Sequence, residues 1–283
     1  MAAKGRGTVL PLPDGIAAAW DLPPGTVAEP LGGGYHNTLL RADDVVVRIE
    51  QRAAESVAWE HELLAWLAPA LPEIVLPLRS GDGTTYRVVG DTTVSLLPYV
   101  EGTHDAAADV PDVLARLHQR GADWPDARPR PGRPAYADLD WERNDWWDWT
   151  AIAERPPELV RAFERARAWV TSAPPLLVTP VHGDIAPQNM ITRGGRVVAL
   201  LDWEYARLDW PALELANAAW TYCEDDPQLF VAAYVAAGGP GEPEALQEGV
   251  RVRLLANALY SLTHSSWNRD WLAYLLARLR ELP

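Results

Sequence analysis

Residues 181–204 read VHGDIAPQNMITRGGRVVALLDWE. The run H-G-D-x-x-x-x-N (His182, Gly183, Asp184, Asn189) precedes a Gly194-Gly195 turn between two apolar stretches. Asp202 follows at the end of the second stretch, and Glu204 completes D-x-E. Phosphoryl transfer needs these residue types. One carboxylate orients an attacking hydroxyl and accepts its proton, and two oxygen ligands hold Mg²⁺ against nucleotide phosphates. An Asp and an Asn on one loop can divide those tasks, and a second Asp on the adjoining hairpin can complete the metal site. His182 reads as a brace for the loop backbone rather than a proton carrier.

On the N-terminal side, LGGGYHNTLLRADDVVVRIE (31–50) reads as a strand, a glycine turn and two further strands. Residues 53–68 have the helical pattern, with Val57, Leu63, Leu64 and Leu67 on one face and Pro69 as a stop. Tyr86–Val89 and Thr93–Tyr99 flank Gly90-Asp91, a hairpin signal. After Gly102 the texture becomes helical: 112–120, 141–170 on either side of Pro156-Pro157, and 211–282. The proline- and arginine-rich 124–135 reads as a loop, and 176–181 and 197–201 as short buried strands. The expected fold is α+β in two lobes, a small antiparallel sheet with one helix (1–98) and a larger helical lobe (99–283).

These pieces together resemble the aminoglycoside phosphotransferase and choline kinase superfamily, which has the protein-kinase-like fold. His182–Asn189 resembles its catalytic loop, and Asp202-Trp203-Glu204 its D-x-[DE] metal segment. Gly33-Gly34-Tyr35-His36-Asn37 is similar to its G-G-x-x-N nucleotide loop. Val47-Arg48-Ile49 is similar to the strand carrying the phosphate-binding cation, a lysine in many relatives, and Glu60-His61-Glu62 to the helix bearing its glutamate partner. Residues 114–118 match the helix ahead of the catalytic loop. The resemblance spans residues 31 to about 220.

It implies Asp184 as catalytic base and Asn189 and Asp202 as metal ligands. It implies Gly33, Gly34, Asn37, Arg48, Glu60, Leu97 and Tyr99 at the nucleotide, with the base against backbone near 97–100. Glu62 competes with Glu60 as the partner of Arg48, and motif register favours Glu60. ATP or GTP, with Mg²⁺, is the implied donor, and the acceptor is a hydroxylated small molecule. An acidic and indole-rich set (Asp145, Trp146, Trp149, Glu204, Asp209, Glu224, Asp225) suggests a cationic acceptor such as an aminoglycoside. The alternatives are a metabolic kinase for choline, an amino alcohol, a sugar or homoserine, and a catalytically silent nucleotide-binding module. A protein kinase fits less well, with no A-P-E after Asp202. One departure is marked. The family's G-D-P-x-x-D-L-A continuation is here Leu208-Asp209-Trp210-Pro211-Ala212-Leu213-Glu214-Leu215-Ala216, with Trp210 in place of the aspartate before proline and Glu214 in place of the later one.

Composition narrows the partners. The formal net charge of −14 repels nucleic acid. No apolar run reaches the roughly 18–20 residues that span a bilayer, and the N-terminus lacks a secretory pattern. A lone Cys223, expected in the core, excludes a disulfide framework or cysteine zinc site, and the histidines lack metal-ligand spacing. The expectation is a cytoplasmic monomer or homodimer. Lys4 is the only lysine, so any cation at work in the folded part is an arginine or a metal ion.

Overall fold

The computed structural model describes residues 10–12, 14–31, 37–144, 146–153, 155–172, 176–223, 225–241, 245–263 and 269–281. Two compact units emerge, one through Ala107 together with Met190–Leu201, the other Ala108–Asn189 with Asp202 onward.

The first unit is built on a six-stranded sheet in the order β1-β2-β3-β4-β6-β5, antiparallel at every pairing. Its strands are β1 (Leu10–Pro11), β2 (Val27–Pro30), β3 (Thr38–Ala42), β4 (Val45–Glu50), β5 (Arg87–Val89) and β6 (Thr92–Pro98). Asp43 at φ 52 and Gly90 at φ 60 close the β3–β4 and β5–β6 turns, as the Asp-Asp and Gly-Asp pairs predict. Val47, Val94 and Leu96 pack from the sheet onto Leu12, Ile16 and Trp20 around α1 (Asp14–Ala19). The helix α2 (Ala54–Leu67) buries Val57, Trp59, Leu63, Leu64 and Leu67, and Glu60 among them.

The hairpin of β8 (Met190–Arg193) and β9 (Arg196–Leu200) turns at Gly194 and Gly195, both with positive φ (59° and 75°). Two consecutive left-handed residues are what a two-residue hairpin needs, and glycine supplies them without strain. The sequence reading grouped this hairpin with residues 99–283. Its backbone instead bonds to the first unit: Leu200 N donates to Glu73 O (2.8 Å), Thr192 N to Thr103 O (2.7 Å) and Thr103 N to Thr192 O (3.0 Å).

The second unit is helical around a short β7–β10 ladder (Thr179–Val181 and Arg207–Asp209). Its helices are α3 (Val110–Ala122), α4 (Pro157–Ser172), α5 (Pro211–Tyr222), α6 (Pro227–Ala236), α7 (Leu246–Thr263) and α8 (Arg269–Glu281). α7 packs against α4, α5 and α8 and buries Val250, Val252, Leu254, Leu255, Ala258 and Leu259.

The helix expected before Pro156 does not form. Asp140, Asn144 and Asp148 recur every fourth residue, and each turns its side-chain oxygen onto following backbone. Asp140 accepts from Glu142 N (2.9 Å), Asn144 from Trp146 N (2.8 Å) and Asp148 from Thr150 N (3.0 Å). Such local acceptors compete with helical hydrogen bonds and win here. The indoles still make a core: Trp141 and Trp147 are buried with ring centroids 5.6 Å apart, and Phe163 edges onto Trp141. Cys223 is half-buried at the end of α5 rather than a core residue.

Candidate active site

β7 delivers the chain into His182-Gly183-Asp184, and a single 3-10 turn, Pro187–Asn189, brings Asn189 back to it. Asn189 Nδ2 donates to the Asp184 carbonyl (2.9 Å) and to its Oδ2 (2.7 Å). With both acceptors on one side, the amide's orientation is fixed and its own oxygen is left to other ligands. Asp184 Oδ1 stands on the open side of a carboxylate whose side chain is 31% exposed, 3.7 Å from Arg253 Nη2.

Gly183 has φ 86, and a Cβ there would lie 2.3 Å from the Tyr205 carbonyl oxygen, so only glycine fits. His182 is fully buried, its ring 4.7 Å from that of Trp203, and its Nδ1 accepts from Asp184 N (3.3 Å). That is the bracing role read from the sequence.

At the departure on α5, Glu214 contacts the catalytic loop directly. Glu214 Oε1 accepts from Gly183 N (2.5 Å) and Oε2 from His182 N (3.1 Å). His118 Nε2 lies 2.9 Å from Oε2, and the far side of that ring faces the Tyr234 hydroxyl, which donates to Pro240 O. Burial opposes the charge on Glu214, yet the His118 hydrogen bond, with the fields of His118 and His182, keeps its pKa below the usual carboxylate value.

Asp202 follows β9 in the left-handed region (φ 62, ψ 62), leading into the Trp203–Tyr205 turn. Aspartate tolerates this conformation better than most residues, but it is still a strained choice. Arg130, from the proline-rich loop, is buried beneath that turn and donates to Trp203 O (2.7 Å) and Ala206 O (2.9 Å). Nothing local in the sequence marked it.

In the first unit, Glu60 and not the exposed Glu62 meets Arg48, with Arg48 Nη2 donating to Glu60 Oε1 at 2.5 Å. Two residues missed from the sequence complete the cluster. Glu50 accepts from Arg48 (2.9 Å), and Arg52 donates to Glu50 (2.5 Å) and to Glu60 (2.7 Å). Each carboxylate therefore holds both guanidiniums. Burial works against every charge, but mutual attraction wins: the two guanidiniums hold Glu60 well below the usual carboxylate range, and Arg48 is pushed above its ordinary value. Neighbouring His61, buried and 2.8 Å from the Thr85 hydroxyl, is lowered to about 4 by that burial.

Of the other nucleotide residues, Asn37 and Leu97 are half-buried, and Gly33 and Gly34 lie outside the described residues. Tyr99 sits under Arg41 at 3.6 Å, and its N–H already donates to Asp44 O (2.7 Å), so it has no amide to offer a base.

The acidic and indole set is described in part. Asp145 and Glu224 lie outside the described residues, and Asp225 is exposed on a turn. Asp209 is buried, with Oδ2 bonded by Arg207 (2.7 Å) and Oδ1 by Trp210 N (2.9 Å). Desolvation raises its pKa despite the arginine. Trp149 stacks on Phe163 (4.1 Å between centroids) and carries the Arg155 guanidinium at 4.7 Å. Trp146 borders a cavity of about 130 Å³, with the Arg207 guanidinium 5.5 Å from its ring. Trp146, Trp149 and Asp209 are thus each engaged by one of the chain's own arginines. Glu204 is buried beside Asp202, its backbone oxygen accepting from Arg133 (3.1 Å).

A sheet with one long helix, and a helical unit carrying an Asp–Asn loop and a D-x-E turn, define a kinase-like phosphotransferase. Solved structures agree on the fold. An amicoumacin kinase, in complex with AMP-PNP, Ca²⁺ and Ami, superposes with a TM-score of 0.74 at 12% identity, covering 94% of this chain and 90% of its own. The aminoglycoside phosphotransferase APH(4)-Ia gives 0.67 at 19% identity, with 90% and 93% coverage. A homoserine kinase of Gluconobacter oxydans is 27% identical over 280 residues, 86% of each chain. The family model described as phosphotransferase enzyme family matches residues 27–248, and the chain belongs to that family. It is a small-molecule kinase acting on an alcohol group. Among the described residues, no helix is long and apolar enough to cross a membrane.

Proposed function

We propose that the chain transfers the γ-phosphoryl group of ATP or GTP to the hydroxyl of a small amino alcohol of homoserine size, in the cytoplasm. The observation carrying this reading is the Asn189 bond that fixes one oxygen of Asp184 and leaves the other at 3.7 Å from the Arg253 guanidinium, on a side chain 31% exposed. The acceptor hydroxyl donates its proton to Asp184 Oδ1. Its oxygen bonds to the γ-phosphorus as the bond to the β-bridging oxygen breaks, and the nucleoside diphosphate leaves with that electron pair.

The donor set fits Mg²⁺. Among the described residues, no cluster of three His, Cys, Asp or Glu could hold a metal alone. One amide oxygen (Asn189) and one carboxylate (Asp202) suit an ion that takes its remaining ligands from phosphates and water. When bound, Mg²⁺ offsets phosphate charge as it shifts to the leaving group. Arg48, held by Glu60, is the guanidinium offered to the nucleotide phosphates. A homoserine-sized acceptor follows the relative that matches over most of both chains; the antibiotic kinases contribute likeness of fold alone. The reaction so written needs no second chain and no nucleic acid.

The test is nucleoside diphosphate release over a panel of amino alcohols, sugars and aminoglycosides. Asp184→Ala should slow turnover by about 10²–10⁴-fold with Mg-nucleotide affinity retained. Asp202→Ala should instead weaken Mg-nucleotide binding in calorimetry. Near-parental turnover in the first variant, or unchanged affinity in the second, removes the corresponding role.

A further inference from the structure

α7 is buried along most of its length, but Arg253, Asn257 and Tyr260 are half-exposed. Their i, i+4, i+7 spacing makes one polar stripe on an apolar helix. Arg253 heads the stripe beside the proposed base. Its Nε donates to Asn217 Oδ1 (3.1 Å), Nη1 to the Tyr136 hydroxyl (3.2 Å) and Nη2 to Gly183 O (3.3 Å), with Asp184 Oδ1 at 3.7 Å. A guanidinium has five N–H groups. Three are engaged, and the other two bond no described residue, while the side chain keeps 19% of its surface open. Further along, the Tyr205 hydroxyl is pushed up by burial and by the nearby Glu204, Tyr260 and Asp184. Arg133 lies 5.2 Å over the Tyr205 ring. Arg253 therefore stands at the Asp184 oxygen that Asn189 does not bond.

Part of the surrounding acidic and aromatic surface is already committed. The indoles and Asp209 already hold Arg155 and Arg207. What remains beside Asp184 Oδ1 is a positive group braced on three sides. A planar guanidinium with two N–H groups to spare is the natural receptor for a carboxylate.

We propose that Arg253 binds a carboxylate on the acceptor, so that the substrate is a hydroxylated carboxylic acid, a hydroxy amino acid in particular, lying along the Arg253–Asn257–Tyr260 face of α7. The proposal rests on the function given above, in that Asp184 takes the hydroxyl proton. The short gap between Asp184 Oδ1 and the guanidinium requires hydroxyl and carboxylate only a few bonds apart, which excludes a large sugar scaffold.

The experiment uses the full chain with Mg-ATP and three probes: L-homoserine, its carboxylate-free analogue 2-amino-1,4-butanediol, and choline. The parent should favour L-homoserine by about 100-fold in kcat/KM, the discrimination a buried charged hydrogen bond supplies. Arg253→Gln should erase most of the preference for L-homoserine over the diol, mainly through KM, on top of any loss the two alcohols share through the loop, with KM for ATP unmoved. Arg253→Lys should recover part of the loss. Equal use of the diol or choline by the parent overturns the proposal without recourse to any variant. So does Arg253→Gln slowing every alcohol equally, because the arginine would then serve only the loop. Full turnover by Asp184→Ala would overturn the function reading instead, whatever the carboxylate dependence.

Discussion

Replacing Glu214 by glutamine asks how much of the catalytic loop is held from α5. The carboxylate offers two acceptors to three donors: Gly183 N at one oxygen, His182 N and His118 Nε2 at the other. Glutamine offers one. If its oxygen stays with Gly183, the new NH₂ group points at His182 N–H and the His118 ring; the opposite rotamer orphans Gly183 N–H. His182 is fully buried, so no water replaces the lost acceptor. An unsatisfied buried donor costs about 1–3 kcal/mol, and the surviving bond loses its charge assistance, so the expected loss is about 2–4 kcal/mol. Glu214→Asp keeps both oxygens and should cost less. Because there are two compact units, the local assay is preferable: amide exchange at 182–184 by mass spectrometry, with urea unfolding and kcat in parallel. Exchange should accelerate and kcat fall at least tenfold. Unchanged protection with stability within about 0.5 kcal/mol of the parent would refute the claim that this carboxylate holds the loop.

Gly183→Ala forces a side chain to φ 86 and sets its Cβ 2.3 Å from the Tyr205 oxygen. The left-handed backbone alone costs about 1–2 kcal/mol, so a Tm equal to the parent's would contradict the close approach. His61 sets an acid limit on the first unit. Its pKa is lowered from 6.5 to about 4, so the unfolded chain binds the extra proton; its contribution is complete above pH 6.5 and is lost as pH falls toward 4. Glu60, also lowered, adds a second loss as pH falls below 4.5. His61→Gln should flatten only the upper part of that limb in urea midpoints measured against pH, and an unaltered slope there would exclude His61 as its source.

The sequence disclosed whatever was written in local periodicity. The α2 stripe of Val57, Leu63, Leu64 and Leu67 places Glu60 on the buried face, so its choice over Glu62 was available from spacing alone. The same holds for Arg48-x-Glu50-x-Arg52, whose alternation puts Arg48 and Glu50 on one side of the strand and its exit; that signal was present and went unused. The loop from Asp184 to Asn189 was legible because one turn joins both ends. Arg130 and Arg253 were not, since each reaches its carbonyl or carboxylate from some 70 residues away in sequence. The Trp-rich segment misled because its indoles match helical spacing, while the backbone obeys Asp140, Asn144 and Asp148. The arginines on Trp146, Trp149 and Asp209 were hidden for a related reason: composition counts carboxylates and indoles but not the cations that meet them.

The arginine on β4 also decides which chemical tools will see this enzyme. Nucleotide analogues that acylate the strand lysine of many kinases depend on a deprotonated amine, and a guanidinium stays charged at every working pH. With Lys4 the sole ε-amino group in the chain, activity profiling by such reagents would pass over this protein even in a lysate where it is abundant and turning over.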